Sequence, residues 1–194
     1  MALIDDIKAY SPVDEEEEKD KSFILDFLAK NKDAFYRTNR VGHMSASAWI
    51  TNKTMDKVLL AYHNIYQSYT WLGGHADGEE DLLKVALKET REESSLTSAV
   101  PYDGKIFSLE VLTVNGHIKH GEYVSSHLHL NVTYLLIADE NDTLKVKPDE
   151  NKALAWFPLE EVVKVSSEPW FNTWIYPKLN KKLIALRESL KGVK

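Results

Sequence analysis

The sequence contains no cysteine. Disulfides, thiolate metal sites and cysteine nucleophiles are therefore excluded. The chain also lacks a basic excess: 30 acidic residues against 24 lysines and arginines give a formal net charge of −6. Because nucleic-acid polymers are bound through a basic surface, this charge argues against such a partner. A small phosphorylated molecule stays compatible with it, since metal ions neutralise phosphates locally.

Long apolar runs are absent as well. No segment approaches the length of a membrane span, and the first ten residues hold no continuous apolar stretch of signal-peptide length. We therefore expect a cytoplasmic protein with no membrane partner. We find no internal repeat, low-complexity segment or Gly/Ser linker, and 194 residues suffice for one domain with a core. A single domain over residues 1–194 is expected.

The pattern of apolar and turn residues predicts mixed secondary structure. In a helical N-terminal extension (1–40), Ser11 is expected to cap a helix, with Pro12 at its first position and the acidic run 14–20 in a solvated first turn. Helices are also predicted at 78–94 and over 168–194, where Pro177 should kink or break the chain. Strands are predicted at 43–51, 57–63, 69–72, 105–114, 123–138 and 153–157. Because strands and helices lack regular βαβ alternation, we expect an α+β fold with a mixed central sheet.

The most informative stretch follows Gly73 and Gly74. On a helix, Glu89, Glu92 and Glu93 stand at i, i+3 and i+4, beside an apolar arc formed by Leu82, Leu83, Ala86, Leu87 and Thr90. Three carboxylates this close repel one another unless cations lie among them. Carboxylate oxygens select Mg²⁺, with Mn²⁺ as a second candidate. Taken alone, the three acids would more often simply face water, but the wider pattern argues otherwise.

The wider pattern, over residues 73–96, resembles the Nudix box, G-x5-E-x7-R-E-U-x-E-E-x-G-U with U aliphatic. Six of its nine defined positions match, namely Gly74, Glu80, Glu89, Glu92, Glu93 and Leu96. The departures are Lys88 for Arg, Thr90 for an aliphatic residue and Ser95 for Gly. Lys88 offers one mobile charge in place of a fixed fork of donors, and Ser95 is less suited than Gly to a left-handed helix end. These departures should affect rate and loop geometry more than metal binding.

The resemblance implies a Nudix-type α/β/α sandwich with N-terminal and C-terminal helical extensions. It also implies a metal-dependent hydrolase that cleaves a diphosphate linkage in a nucleoside diphosphate linked to another moiety, or in a nucleoside triphosphate. In such an enzyme Glu89, Glu92 and Glu93, with the Gly73 carbonyl, would hold Mg²⁺ or Mn²⁺. The general base would be a box glutamate or one on a later loop, such as Glu150. The backbone of Gly73 and Gly74 and the side chain of His75 would lie near the phosphates.

Other functions stay open at this point. A catalytically weak Nudix-fold nucleotide-binding or sensor module would accommodate the substitutions at Lys88 and Ser95. An isomerase of the isopentenyl diphosphate type shares the fold, but its chemistry uses a cysteine. The particular substrate is not determined. The aromatic C-terminal helix could pack on its own core or on a second copy, so a homodimer remains among the expected states.

Histidines and aromatic residues offer further candidates. His127 and His129 alternate on a predicted strand, so both imidazoles should face one side, and His117 and His120 lie in the preceding hairpin. A histidine zinc site is conceivable, although lining of the substrate cleft or ordinary hydrogen bonding is the favoured interpretation. Four aromatic residues precede the box, namely Tyr62, Tyr66, Tyr69 and Trp71. Each could stack on a nucleobase, but packing in the core is the favoured interpretation.

Overall fold

The computed structural model describes residues 2–119 and 121–192, so His120 lies outside the described residues. The chain groups into two compact units. The first comprises the chain up to Ser47 together with Gly73–Ala86 and Gly104–Tyr134. The second comprises Ala48–Leu72, Leu87–Asp103 and the chain from Leu135 onward.

Helices and strands alternate irregularly along the described residues. The helices are α1 (Ala2–Ala9), α2 (Glu15–Lys30), α3 (Leu82–Ser94), α4 (Val162–Val165) and α5 (Tyr176–Lys191). The strands are β1 (Gly42–Asn52), β2 (Lys57–His63), β3 (Ser68–Thr70), β4 (Leu72–His75), β5 (Val100–Val114), β6 (His117–Lys119), β7 (Glu122–Val124), β8 (His127–Ala138) and β9 (Asn151–Pro158). A 3-10 turn (Leu159–Glu161) precedes α4 and a π-helical turn (Phe171–Ile175) precedes α5.

The strands form a seven-stranded sheet and a separate hairpin. The sheet runs in the order β3-β2-β1-β8-β5, with β4 also paired to β1 and β9 to β2, while β6 pairs with β7. The predicted α+β class with a mixed sheet is confirmed. Several predicted boundaries are wrong, and the strand predicted at 123–138 is two strands, β7 and β8. The strand predicted at 69–72 is two short strands, β3 and β4, and the helix predicted from residue 78 begins at Leu82, because Asp77 and Gly78 both have positive φ angles.

The first helical segment differs from the prediction in its cap. The structure has an additional helix, α1, and α2 is capped by Asp14 rather than Ser11. The Asp14 carboxylate accepts a hydrogen bond of 2.8 Å from the backbone N–H of Glu17. Aspartate is as strong an N-cap as serine, and it stands directly before the acidic run that forms the first turn.

Glu17 departs from the solvated first turn that was predicted. Its side chain is fully buried, in the first unit. The carboxylate accepts hydrogen bonds from the Ser108 hydroxyl at 2.7 Å, the Leu109 N–H at 3.3 Å and the Val13 N–H at 2.9 Å. A buried carboxylate is tolerated only with such donors, so Glu17 fixes α2 against β5.

A buried polar network connects three strands of the first unit. The Asn131 amide on β8 accepts from the hydroxyls of Ser45 and Ser47 on β1, at 3.1 and 2.9 Å. Its nitrogen donates to the Glu110 carboxylate on β5 at 2.9 Å, and the Thr133 hydroxyl donates to the same carboxylate oxygen at 2.8 Å. Because buried polar groups must be paired, this network favours one register of β1, β8 and β5.

In the second unit, β2 pairs with β9 in antiparallel register from Lys57–Pro158 to Tyr62–Ala153. Helix α5 has Pro177 in its first turn, where a missing N–H costs nothing. The predicted break therefore lies at the start of this helix. Tyr176 stacks on Trp49 with ring centroids 5.5 Å apart, and both side chains are fully buried. Among the described residues, no helix is both long and apolar enough to cross a membrane.

Candidate active site

Helix α3 carries the box glutamates on a partly buried face. Of the predicted apolar arc, Leu82, Ala86 and Thr90 are buried, and Val85 is buried with them. Toward the end of the helix, Glu93 is only 5% exposed. The glutamates were predicted at the border between the apolar and polar faces of α3, and at Glu93 this border is buried. The Glu93 carboxylate is therefore shielded from water.

Three carboxylates converge in the second unit. Glu89, Glu93 and Glu150 each offer an oxygen, and these oxygens all lie within 4.8 Å of one another. The Glu89 side chain is 12% exposed and that of Glu150 38%. Burial raises the pKa of Glu89, and the adjacent Lys88 ammonium opposes this shift. The cluster is open on the Glu150 side and closed on the helix side.

Glu150 is held in place by its own backbone and that of its neighbours. It directly precedes β9, and its N–H donates to the Lys147 carbonyl at 2.8 Å. Its carbonyl accepts from the Asn64 N–H at 2.8 Å. The next residue, Asn151, is buried and donates from its amide to the Glu93 carbonyl at 3.0 Å. This bond ties the start of β9 to the end of α3.

Two lysines supply positive charge beside these acids. The Lys88 Nζ lies 3.3 Å from a Glu89 oxygen, and the Lys147 Nζ lies 2.9 Å from a Glu150 oxygen. The hydrogen bond to Glu150 raises the pKa of Lys147. Each ammonium offsets part of the repulsion among the carboxylates.

Glu92 lies outside the group of three. Its side chain is 43% exposed, and its two oxygens are 3.7 Å from the Nζ atoms of Lys88 and Lys147 respectively. A carboxylate between two lysine ammonium groups could release them and bind a metal ion instead. Arg91, three residues after the Lys88 that replaces the box arginine, is exposed.

The residues before α3 belong to the first unit. Gly73 and Gly74 lie in β4, and a Cβ on Gly73 would stand 2.5 Å from the Ala46 carbonyl oxygen and 2.8 Å from the Ser47 Cα. Glycine at position 73 is therefore required by the close approach of β1. The His75 Nε2 lies 3.2 Å from the His129 Nε2.

Helix α3 ends in the conformation that the box requires. Ser95 has a φ of 57°, and its N–H donates to the Arg91 carbonyl at 2.9 Å. The left-handed end is therefore kept although glycine is replaced by serine, and serine bears the steric cost of that conformation.

Two residues at this site were missed by sequence reasoning. Lys147 and Asn151 lie over 50 residues from α3 in the chain, and no periodicity connects them to the box. Their only local signal is proximity to Glu150, which was identified as a loop acid before a strand. Contacts of this kind depend on the pairing of β9 with β2, which sequence patterns do not encode.

An α+β fold with glutamates gathered from one helix and from the loop before β9 is the arrangement expected of a metal-dependent hydrolase. The Nudix domain model matches residues 42–179, which is most of the chain. The chain belongs to the Nudix family, and it is a hydrolase acting on phosphoric anhydride bonds. No curated protein sequence matches it.

Solved structures agree on the fold. An Ap4A hydrolase from C. elegans, solved as a binary complex, has a TM-score of 0.55 and 20% identity, over 75% of this chain and 98% of that one. A Nudix-family hydrolase from Clostridium perfringens has a TM-score of 0.51 and 22% identity, over 74% and 97%. The MutT protein from Methanosarcina mazei Go1 has a TM-score of 0.54 and 16% identity, over 76% and 97%.

Proposed function

We propose that this enzyme hydrolyses the diphosphate linkage of a nucleoside diphosphate linked to another moiety, or of a nucleoside triphosphate, with Mg²⁺ or Mn²⁺. The observation that carries the proposal is the convergence of Glu89, Glu93 and Glu150 within 4.8 Å. A substrate of this kind also accords with the net charge of −6, because metal-bound phosphates need no basic surface of the protein.

The residues present fit a hard divalent cation. They offer only oxygen ligands, at least two of them shielded from water, and burial raises the pKa of Glu89. Carboxylates in such surroundings are stabilised by a cation among them. Glu89, Glu93 and Glu150 would hold the ion, with Glu92 as a further candidate ligand. Once bound, the ion supplies charge stabilisation for the phosphates and a more acidic bound water.

The chain's own residues then have distinct proposed tasks. Glu89 and Glu93 project from one rigid helix and anchor the site. Glu150, on a loop and 38% exposed, is the carboxylate best placed to meet solvent and to accept a proton from an attacking water. Lys147 contacts Glu150 at 2.9 Å and orients that carboxylate.

The test is a hydrolysis assay over nucleotide sugars, dinucleotides and nucleoside triphosphates, with Mg²⁺ or Mn²⁺ and with a chelator. Glu93→Gln should lower kcat by roughly 100-fold or more, because it removes a charged ligand while keeping the shape. Glu150→Gln should lower kcat by about 10²- to 10⁴-fold if this residue is the base. Glu160→Gln, at an exposed position, is the matched control and should act as wild type.

The outcomes separate the roles. Equal rates in wild type and Glu93→Gln would refute the role of the carboxylate cluster. Full activity of Glu150→Gln alone would remove that residue from the mechanism and leave a box glutamate as the base. Calorimetry that shows tight nucleotide binding with no turnover on any substrate would favour the alternative, a nucleotide-binding or sensor module.

A further inference from the structure

A second cluster of metal-ligating side chains lies in the first unit and plays no part in the proposed carboxylate chemistry. It consists of His43 on β1, His75 at the end of β4, and His127 and His129 on β8. Each offers one ring nitrogen, and these four nitrogens all lie within 4.8 Å of one another. We call these residues the histidine cluster. The four imidazoles lie together although they come from three strands that are far apart in sequence.

The distances within the cluster suit a shared ion. The His129 Nε2 lies 3.2 Å from the Nε2 of His75 and 3.2 Å from that of His127. Two ligand nitrogens on a tetrahedral Zn²⁺, each about 2.05 Å from the metal, are about 3.3 Å apart. The ring centroids of His75, His127 and His129 lie 5.0–5.1 Å from that of His43, so all four rings surround one point.

The rings are also oriented as ligands are. The His43 Nδ1 is 3.2 Å from the Asn39 carbonyl, and the His127 Nδ1 is 2.8 Å from the Ser125 carbonyl. A backbone carbonyl that accepts from Nδ1–H leaves Nε2 with its lone pair, which is the usual second contact of a metal-bound histidine. Both rings thus present Nε2 to the centre of the cluster.

One nitrogen in the cluster needs a partner. The His43 side chain is 4% exposed, and its Nε2 is buried with no hydrogen-bond partner among the described residues. A buried polar atom of this kind is destabilising unless something binds it. Burial is the largest cause that lowers the pKa of both His43 and His129.

We propose that His43, His75, His127 and His129 bind one divalent transition-metal ion of the Zn²⁺ type. Four neutral imidazoles select borderline ions such as Zn²⁺ over Mg²⁺. Four protein ligands close the coordination shell, which is the arrangement of a structural site. The ion would fasten β1, β4 and β8 together and fix the segment that leads from Gly73 into the Nudix box. The proposal does not depend on the hydrolase activity.

This site differs from the one conceived from sequence. His127 and His129 do face one side, but their partners are His43 and His75 rather than the hairpin histidines. His117 is outside the cluster among the described residues. His43 and His75 lie 32 residues apart at the ends of two strands, and only the pairing of β4 with β1 brings them together.

The test uses the full chain without a polyhistidine tag, stripped with a chelator and reloaded in excess Mg²⁺, which fills hard-oxygen sites. Wild type should bind one equivalent of Zn²⁺, and Co²⁺ should give the intense visible bands of a tetrahedral nitrogen site. His127→Asn and His129→Asn should each weaken Zn²⁺ binding by at least about 10-fold. Loss of a hydrogen-bond partner of a metal ligand already costs about that much, and these variants remove a ligand itself. His63→Asn, outside the cluster, should leave the affinity unchanged.

Two further variants make the result decisive. Glu93→Gln should retain Zn²⁺, whereas loss of Zn²⁺ there with retention in His129→Asn would assign the ion to the carboxylates and overturn the proposal. Equal affinity in wild type and both histidine variants would also overturn it. Circular dichroism identifies a variant that fails to fold. In that case the Co²⁺ spectrum of wild type decides, since weak octahedral bands would contradict a four-imidazole site.

Discussion

Replacing Gly73 by alanine tests how tightly the start of the Nudix box is packed. The added Cβ would stand 2.5 Å from the Ala46 carbonyl oxygen, 2.7 Å from the Ser47 hydroxyl and 2.8 Å from the Ser47 Cα. To reach an ordinary contact of 3.4 Å, the first distance must grow by 0.9 Å, the difference between 3.4 and 2.5. Two of these three atoms belong to the backbone of β1, so a side-chain rotation cannot relieve the overlap.

Overpacking of this kind costs about 1–3 kcal/mol. For a chain of this size each kcal/mol lowers Tm by roughly 2–4 °C, so Gly73→Ala should melt about 2–12 °C below wild type. Calorimetry or circular dichroism measures the shift. Gly192→Ala is the matched control, because that residue has helical φ and its Cβ would meet nothing closer than 3.8 Å. A Gly73→Ala variant as stable as wild type would refute the close approach.

Smaller changes test local features by urea denaturation. Ser95→Gly should stabilise the protein by about 0.5–1 kcal/mol, because glycine adopts the φ of 57° without strain; no gain would mean that serine is not strained there. Asp14→Ala should cost about 1 kcal/mol through loss of the α2 cap, whereas Asp26→Ala, in an exposed ion pair, should change stability by less than about 0.5 kcal/mol. Asn151→Ala should cost about 1–3 kcal/mol, since the Glu93 carbonyl loses its amide donor; an unchanged midpoint would contradict that role.

Sequence predicted those features that depend on neighbours along the chain. The arc of α3 and the positions of its glutamates follow from helical periodicity, whereas the replacement of glycine by Ser95 argued against the left-handed end that the structure keeps. The strands at β1 and β2 are marked by apolar runs around one turn. In each case the physical determinant lies within a few residues of its effect.

Features that depend on strand pairing were not predictable. Lys147 and Asn151 reach the carboxylate cluster because β9 pairs with β2, and His43 meets His129 through strands more than 80 residues apart. The burial of Glu17 is likewise a long-range effect, since two of its three donors, Ser108 and Leu109, are on β5. Local patterns in a single sequence give the chemical type of these residues, but they do not show which of them are in contact.

The carboxylate cluster and the histidine cluster differ in what a metal ion must displace in order to bind. In the carboxylate cluster the groups are charged, and Lys88 and Lys147 already offset part of the repulsion, so a metal must compete with ammonium groups 2.9–3.3 Å from the acids. In the histidine cluster the ligands are neutral, and His43 Nε2 has no described partner to displace. Zn²⁺ should therefore bind the imidazoles tightly, and Mg²⁺ should bind the carboxylates more weakly and exchange readily. One chain would then hold two different ions at once, each selected by its ligand atoms.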